Sequence, residues 1–76
     1  AQYKAGYKAI KQACELTEWK DWSILDTYAM AAHKLGKNAD AVKWQTKAVE
    51  LVPADNTEAK AELQTRLDEY TAAAAG

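Results

Sequence analysis

The stretch from Ile24 to Pro53, ILDTYAMAAHKLGKNADAVKWQTKAVELVP, places two amphipathic segments on either side of a glycine-containing turn and ends in a proline. Gly36 can adopt the positive φ that ends many helices, and Pro53 cannot donate the next helical hydrogen bond. These features predict a hairpin of two antiparallel helices. A single hairpin of this length cannot bury its apolar side alone, so the sequence predicts an all-α protein in which such hairpins stack as a solenoid.

Apolar residues recur at helical spacing on both sides of this stretch and predict four helices in all. The expected helices cover residues 2–16, 22–35, 39–52 and 55–71. Asp21 or Ser23 is expected to cap the second helix, and Asn38 the third. Asp55 with Glu58 three residues later resembles a capping box for the fourth helix.

Composition excludes several classes of function. The chain has 76 residues, with one cysteine, one histidine and a net charge of −1. Cys14 has no second cysteine with which to form a disulfide, and His33 alone cannot build a Cys/His zinc site. The net charge argues against nucleic-acid binding, and no apolar run approaches the ~20 residues that span a bilayer. We therefore expect no cofactor, no metal, no nucleic acid and no membrane partner.

Charge is distributed unevenly along the chain. Residues 1–20 carry a net charge of +2, residues 21–54 balance to zero, and residues 55–76 carry −3. The simplest interpretation is a set of solvated helix faces. A basic start and an acidic end also allow a head-to-tail contact between copies. On the fourth helix, Glu62 and Arg66 have the spacing of an i,i+4 ion pair.

The sequence repeats itself at an offset of 35 residues. The segment Ala13-Cys14-Glu15-Leu16 corresponds to Ala48-Val49-Glu50-Leu51. The same offset relates Tyr28, Ala32 and Leu35 of the second helix to Leu63, Leu67 and Tyr70 of the fourth. The chain therefore contains about one and a half helical repeats and a closing helix.

This pattern resembles the tetratricopeptide repeat family, whose unit of about 34 residues reads W-x2-L-G-x2-Y…A-x3-F…P. The matching positions here are Leu25, Tyr28, Ala29, Ala32, Ala41, Gln45 and Pro53. Ala41 and Pro53 match outright, whereas Ala32 and Gln45 replace aromatic residues; Trp44 is a candidate to fill part of that volume. The chain as a whole is similar to the C-terminal end of bacterial arrays of this family.

The resemblance divides the chain into four segments. Residues 1–20 correspond to the second helix of an incomplete repeat, and residues 21–54 form a complete repeat. Residues 55–71 correspond to a C-terminal capping helix, and residues 72–76 form an alanine-rich tail.

The resemblance implies a non-enzymatic scaffold for protein–protein interaction, the terminal segment of a solenoid. The implied peptide groove lies on the second helix and comprises Ser23, Asp26, Met30, His33 and Lys34. Some relatives hold acidic chaperone tails through Lys and Asn on this face. Here Asp26 and Met30 take those places, so that binding mode is not expected.

The alternative function is a structural subunit that assembles head to tail through its unpaired first helix. Gly6, Ile10 and Ala13 are expected to face the missing neighbour, which is either preceding repeats or another copy, while Tyr7 and Cys14 face the second helix. An apolar strip left in water favours association.

Three further features have simple explanations. Trp19 and Trp22 form either an aromatic binding patch or, as we favour, a plug between adjacent repeats. Cys14 is expected to be a small buried apolar residue. His33 has no neighbouring nucleophile arranged for catalysis, so the sequence predicts no enzyme.

Overall fold

The computed structural model describes residues 2–75, and it describes side-chain packing for residues 6–75. The chain forms four helices: α1 (Gln2–Leu16), α2 (Trp22–Lys34), α3 (Asn38–Leu51) and α4 (Thr57–Ala75). No strand occurs between residues 2 and 75, and the predicted all-α class is confirmed. α1 has its predicted bounds, whereas α4 begins two residues later than predicted and includes the alanine-rich segment up to Ala75.

The capping residues of α2 are the predicted ones, although the helix ends at Lys34, one residue before the predicted Leu35. Asp21 caps the start, because its carboxylate accepts a hydrogen bond of 3.0 Å from the backbone N–H of Ser23. At the other end Gly36 has φ of 79°, and the backbone N–H of Lys37 donates to the carbonyl of Ala32 at 2.8 Å. This pairing is the Schellman motif, in which the left-handed residue reverses the chain.

The end of α1 has the same geometry without a glycine. Glu18 and Trp19 have φ of 57° and 60°, and the N–H of Trp19 donates to the carbonyl of Cys14 at 2.7 Å. A left-handed conformation is unfavourable for side chains with a Cβ. It is maintained here because it directs the Trp19 ring onto the core.

Asn38 does not cap α3 as predicted. The N-cap residue is Lys37, which makes no side-chain cap hydrogen bond, and Asn38 is the first helical residue. The Asn38 side chain instead places its carbonyl oxygen 3.3 Å from Nδ1 of His33. The prediction failed because α2 ends and α3 begins one residue earlier than expected, at Lys34 and Asn38.

The start of α4 also differs from its prediction. Asn56, not Asp55, caps the helix, and its side-chain oxygen accepts a 3.3 Å hydrogen bond from the N–H of Ala59. Asn56 directly precedes Thr57, the first helical residue, so Asp55 lies one position too early to pair with Glu58 as a capping box.

Each helix packs mainly against the next one in the chain, so α1 contacts α2, α2 contacts α3 and α3 contacts α4. Ala41 and Ala48 of α3 are fully buried, so α2 and α3 cross closely at these small residues. The buried side chains form two clusters. The first core cluster contains Cys14, Leu25, Tyr28, Ala48, Val52 and Leu63. The second core cluster contains Ala29, Ala32, Ala41 and Tyr70.

Candidate protein-binding surfaces

The five predicted groove residues all lie on α2, but the structure separates them into two groups. Ser23, Met30 and Lys34 are exposed, and Met30 leaves 38% of its surface in solvent. Asp26 and His33 are half-buried because both contact α4. The α2 residues free to meet a ligand are therefore fewer than the sequence predicted.

Asp26 is the centre of an ion pair between α2 and α4. Arg66 donates from Nη1 to Asp26 Oδ2 at 2.8 Å, and only 15% of the Asp26 side chain is exposed. The predicted pairing of Arg66 with Glu62 on the same helix is therefore wrong. An unpaired carboxylate costs more free energy when it is buried than when it is exposed. Arg66 therefore pairs with the largely buried Asp26, which the packing of α2 places within its reach.

Gln45 explains why an aromatic residue is missing from this position of the repeat. Its side chain is fully buried, and Nε2 donates to Asp26 Oδ1 at 2.9 Å and to the backbone carbonyl of Leu63 at 3.0 Å. Gln45 Oε1 has no hydrogen-bond partner among the described residues. One amide on α3 thus contacts both α2 and α4, which an aromatic ring could not do by hydrogen bonding.

His33 makes the second contact between α2 and α4. Its ring lies against the ring of Tyr70, with centroids 4.7 Å apart and planes inclined by 32°. Burial raises the pKa of the Tyr70 hydroxyl, and the nearby Asp26 carboxylate adds to that rise. With the Asp26–Arg66 pair, this stack places α2 and α4 side by side.

The face of α1 that packs on α2 is the predicted one. Tyr7 stacks on Tyr28 with ring centroids 4.7 Å apart, and the Tyr28 hydroxyl donates to that of Tyr7 at 2.7 Å. Burial, followed by this hydrogen bond, raises the pKa of Tyr28 far above its usual value. Cys14 is fully buried, and burial raises the pKa of its thiol. The expected inert, apolar role of Cys14 fits this environment.

The residues predicted to face another molecule lie along a different side of α1. Gly6, Ile10 and Ala13 are half-buried, and Ile10 packs against the first core cluster. A Cβ added to Gly6 would meet no atom within 4 Å. Sequence reasoning missed Leu16, which is 85% exposed although the repeat offset equates it with the half-buried Leu51.

Trp19 occupies the gap between α1 and α3 and does not form a free patch with Trp22. Its ring stacks on Trp44 with centroids 4.4 Å apart, and both Trp19 and Trp22 pack against the first core cluster. Trp44 therefore packs beside Trp19 and does not take the buried position that Gln45 occupies. Lys43 and Lys47 place their ammonium groups over the Trp44 ring, 4.8 and 5.8 Å from its centroid.

The described residues include no group of three or more His, Cys, Asp and Glu side chains placed to hold a metal ion. Within residues 2–75, no helix is both long enough and apolar enough to cross a membrane. An open depression lies beside the α2–α3 turn and is lined by Gly36, Lys37, Asn38, Ala39, Asp40 and Ala74. That lining pairs no nucleophile with a base.

Comparisons of this chain with protein-family models, with curated proteins and with solved structures give no match.

Proposed function

We propose that this chain is a non-enzymatic protein-interaction segment, the end of a solenoid built from tetratricopeptide-like repeats. The observation that carries the proposal is the side-by-side placement of α2 and α4. Two side-chain contacts, Asp26–Arg66 and His33–Tyr70, connect these helices, and Met30, which lies between Asp26 and His33 in the sequence, stays exposed. An exposed methionine beside two connected helices suits an adaptable apolar contact with a peptide.

The charges around this surface favour a particular class of peptide. On α4, Glu62 and Glu69 flank Arg66 at i−4 and i+3, so they share its side of the helix, and both are exposed. Arg66 itself is engaged by Asp26. The surface therefore offers free carboxylates beside an apolar side chain, and it fits a peptide with an apolar anchor and a basic residue.

The self-assembling alternative requires α1 of one copy to pack on α4 of another. The outward side of α4 carries the charged and polar residues Lys60, Gln64 and Asp68, all exposed. Polar outer faces are typical of the helix that closes a repeat array. This favours the scaffold over the self-assembling subunit.

Selection of binders from a random peptide library tests the proposal. The expected result is a set of peptides that combine an apolar and a basic residue. Their affinity should fall about tenfold or more for Met30→Lys, because the apolar contact is lost and the new ammonium group repels the basic residue of the peptide. Leu16→Lys, on α1, is the matched control and should bind like the unmodified chain. Selected peptides that tolerate Met30→Lys but not Leu16→Lys would contradict the proposed surface.

A further inference from the structure

α1 and α3 are equivalent in the 35-residue repeat, but they are covered to different extents. Ala41 and Ala48 of α3 are fully buried, whereas their counterparts Gly6 and Ala13 of α1 are only half-buried. The α2 residues that share the core clusters of Ala41 and Ala48 are Leu25, Ala29, Ala32 and Tyr28. No helix among the described residues covers the small residues of α1 as α2 covers those of α3.

The uncovered surface is a continuous stripe on one side of α1, which we call the open face. It consists of Gly6, Ala9, Ala13 and Leu16, spaced by three, four and three residues. Such spacing aligns side chains along a helix. The small residues allow a close helix crossing, and Leu16, 85% exposed, supplies a large apolar side chain at one end.

The open face continues an interface that already exists. Ile10 lies along its edge and packs against the first core cluster, which also contains residues of α2. A helix placed on the open face would extend the α1–α2 packing and complete the burial of Ile10.

A second copy of this chain is a poor occupant of the open face. Four α2 residues share core clusters with α3. The repeat offset equates two of them, Tyr28 and Ala32, with Leu63 and Leu67 of α4, which are already buried and half-buried within this chain. It equates the other two, Leu25 and Ala29, with Lys60 and Gln64 of α4. Both α4 residues are exposed, and Gln64 donates to the Asp68 carboxylate at 3.0 Å. Packing α4 of a second copy against Leu16 would bury these polar groups without new hydrogen-bond partners. The free-energy cost of that burial opposes the attraction between the basic and acidic ends.

We propose that the open face binds an amphipathic helix from outside this 76-residue chain. That helix has the same apolar seam, or row of apolar residues, with which α2 packs on α3, and it has an apolar residue at the position of Asp26. The seam is Leu-x3-Ala-x2-Ala, as in Leu25, Ala29 and Ala32. In the α2–α3 pair, Asp26 is satisfied by Gln45. The repeat offset equates Gln45 of α3 with Ile10 of α1. An aspartate at the position of Asp26 on the bound helix would therefore face Ile10 and would lack a hydrogen-bond donor.

This inference rests on the proposed repeat arrangement, but it concerns a different surface from the α2 groove. The test uses peptides of residues 21–36, labelled for fluorescence anisotropy and titrated with the full chain. The peptide with Asp26→Ala should bind about tenfold more tightly than the native α2 sequence, because it removes an unpaired buried carboxylate. A Thr27→Ala peptide is the matched control, since it gains similar helix propensity without changing the seam and should bind like the native peptide.

Variants of the full chain locate the binding. Ala9→Glu, at an exposed position of the open face, should weaken the Asp26→Ala peptide about tenfold or more. Ala61→Glu, at an exposed position of α4, should leave its affinity unchanged. Circular dichroism should show the same helix content and melting temperature for both variants, so that a loss of binding is not a loss of folding.

Three results would overturn the inference: no saturable binding of the Asp26→Ala peptide, equal binding to the Ala9→Glu chain, or self-association of the chain that Ala9→Glu abolishes. The last would identify a second copy as the occupant. Failure of the α2 peptides, with Met30-dependent binding of selected peptides retained, would remove this inference and leave the proposed function intact. The opposite pattern would remove the α2 groove and leave the open face.

Discussion

At the scale of single residues, buried polar contacts connect the helices that the repeat pattern only places near one another. Gln45 contacts Asp26 of α2 and the Leu63 carbonyl of α4, and Arg66 completes the set from α4. A glutamine at a position where the tetratricopeptide pattern has an aromatic residue indicated an unusual core. Its partners could not be predicted, because they lie 18 and 19 residues away in the sequence.

Removing Arg66 tests this network. Arg66→Ala should lower the free energy of unfolding by about 1–3 kcal/mol, because it leaves the largely buried Asp26 carboxylate with one donor fewer. Glu62→Ala, four residues earlier on α4, is the control and should change stability by less than about 0.5 kcal/mol, since its predicted pairing with Arg66 does not form. Urea denaturation measures both. Equal losses for the two variants would show that Arg66 pairs within α4.

Glu18 offers a stabilising change. Glu18→Gly should raise the free energy of unfolding by about 1 kcal/mol, because glycine adopts the φ of 57° found here without steric cost. Lys11→Gly, at an exposed position in the interior of α1, should instead cost about 1 kcal/mol. Thermal melts followed by circular dichroism compare them. A lower melting temperature for Glu18→Gly would contradict the left-handed turn.

Asp21 makes stability depend on pH. The hydrogen bond from the Ser23 hydroxyl, followed by those from the Ile24 and Ser23 backbone, lowers the pKa of Asp21. A group with a lowered pKa stabilises the fold above its unfolded pKa, and this contribution is lost as pH falls through the folded pKa. Asp21→Ala should therefore cost about 1 kcal/mol at neutral pH and less in acid. Urea denaturation at neutral and at acidic pH measures this loss of stability. An equal loss at the two pH values would contradict the lowered pKa of Asp21.

At the scale of helices, the sequence predicted elements better than their ends. The periodic apolar residues predicted four helices. Asp21 and Gly36 marked the two ends of α2 correctly, because a capping hydrogen bond and a positive φ involve only neighbouring backbone groups. The caps at Asn38 and Asp55 were wrong by one position, because the exact start of a helix depends on the three-dimensional path of the preceding turn. The contacts of Asp26 and His33 with α4 required the packing itself.

The close crossing of α2 and α3 can be tested by overpacking it. Ala48→Leu should cost about 1–3 kcal/mol, because Ala48 is fully buried in the first core cluster and has no room for a larger side chain. Ala61→Leu, at an exposed position of α4, is the matched control and should leave the melting temperature nearly unchanged. An unchanged melting temperature for Ala48→Leu would show that the two helices do not cross closely.

At the scale of the whole molecule, the two ends of the helix array differ. α4 presents charged and polar residues to solvent, whereas α1 leaves the open face around Gly6 and Leu16 uncovered. The exposed side of α4 is therefore polar, whereas that of α1 is apolar. α2 and α4 contact each other through Asp26–Arg66 and His33–Tyr70 and leave Met30 exposed, which is the surface we propose for peptide binding.

The most direct test of this proposed function is an amide chemical-shift titration of the isotopically labelled chain with a library-selected peptide. The largest shifts are expected at Ser23, Met30 and Lys34, and on α4 around Glu62 and Glu69. Residues of α1 from Gly6 to Leu16 should shift little, because they lie on a separate surface. Shifts confined to α1, or no localised shifts at saturating peptide, would contradict the proposed groove.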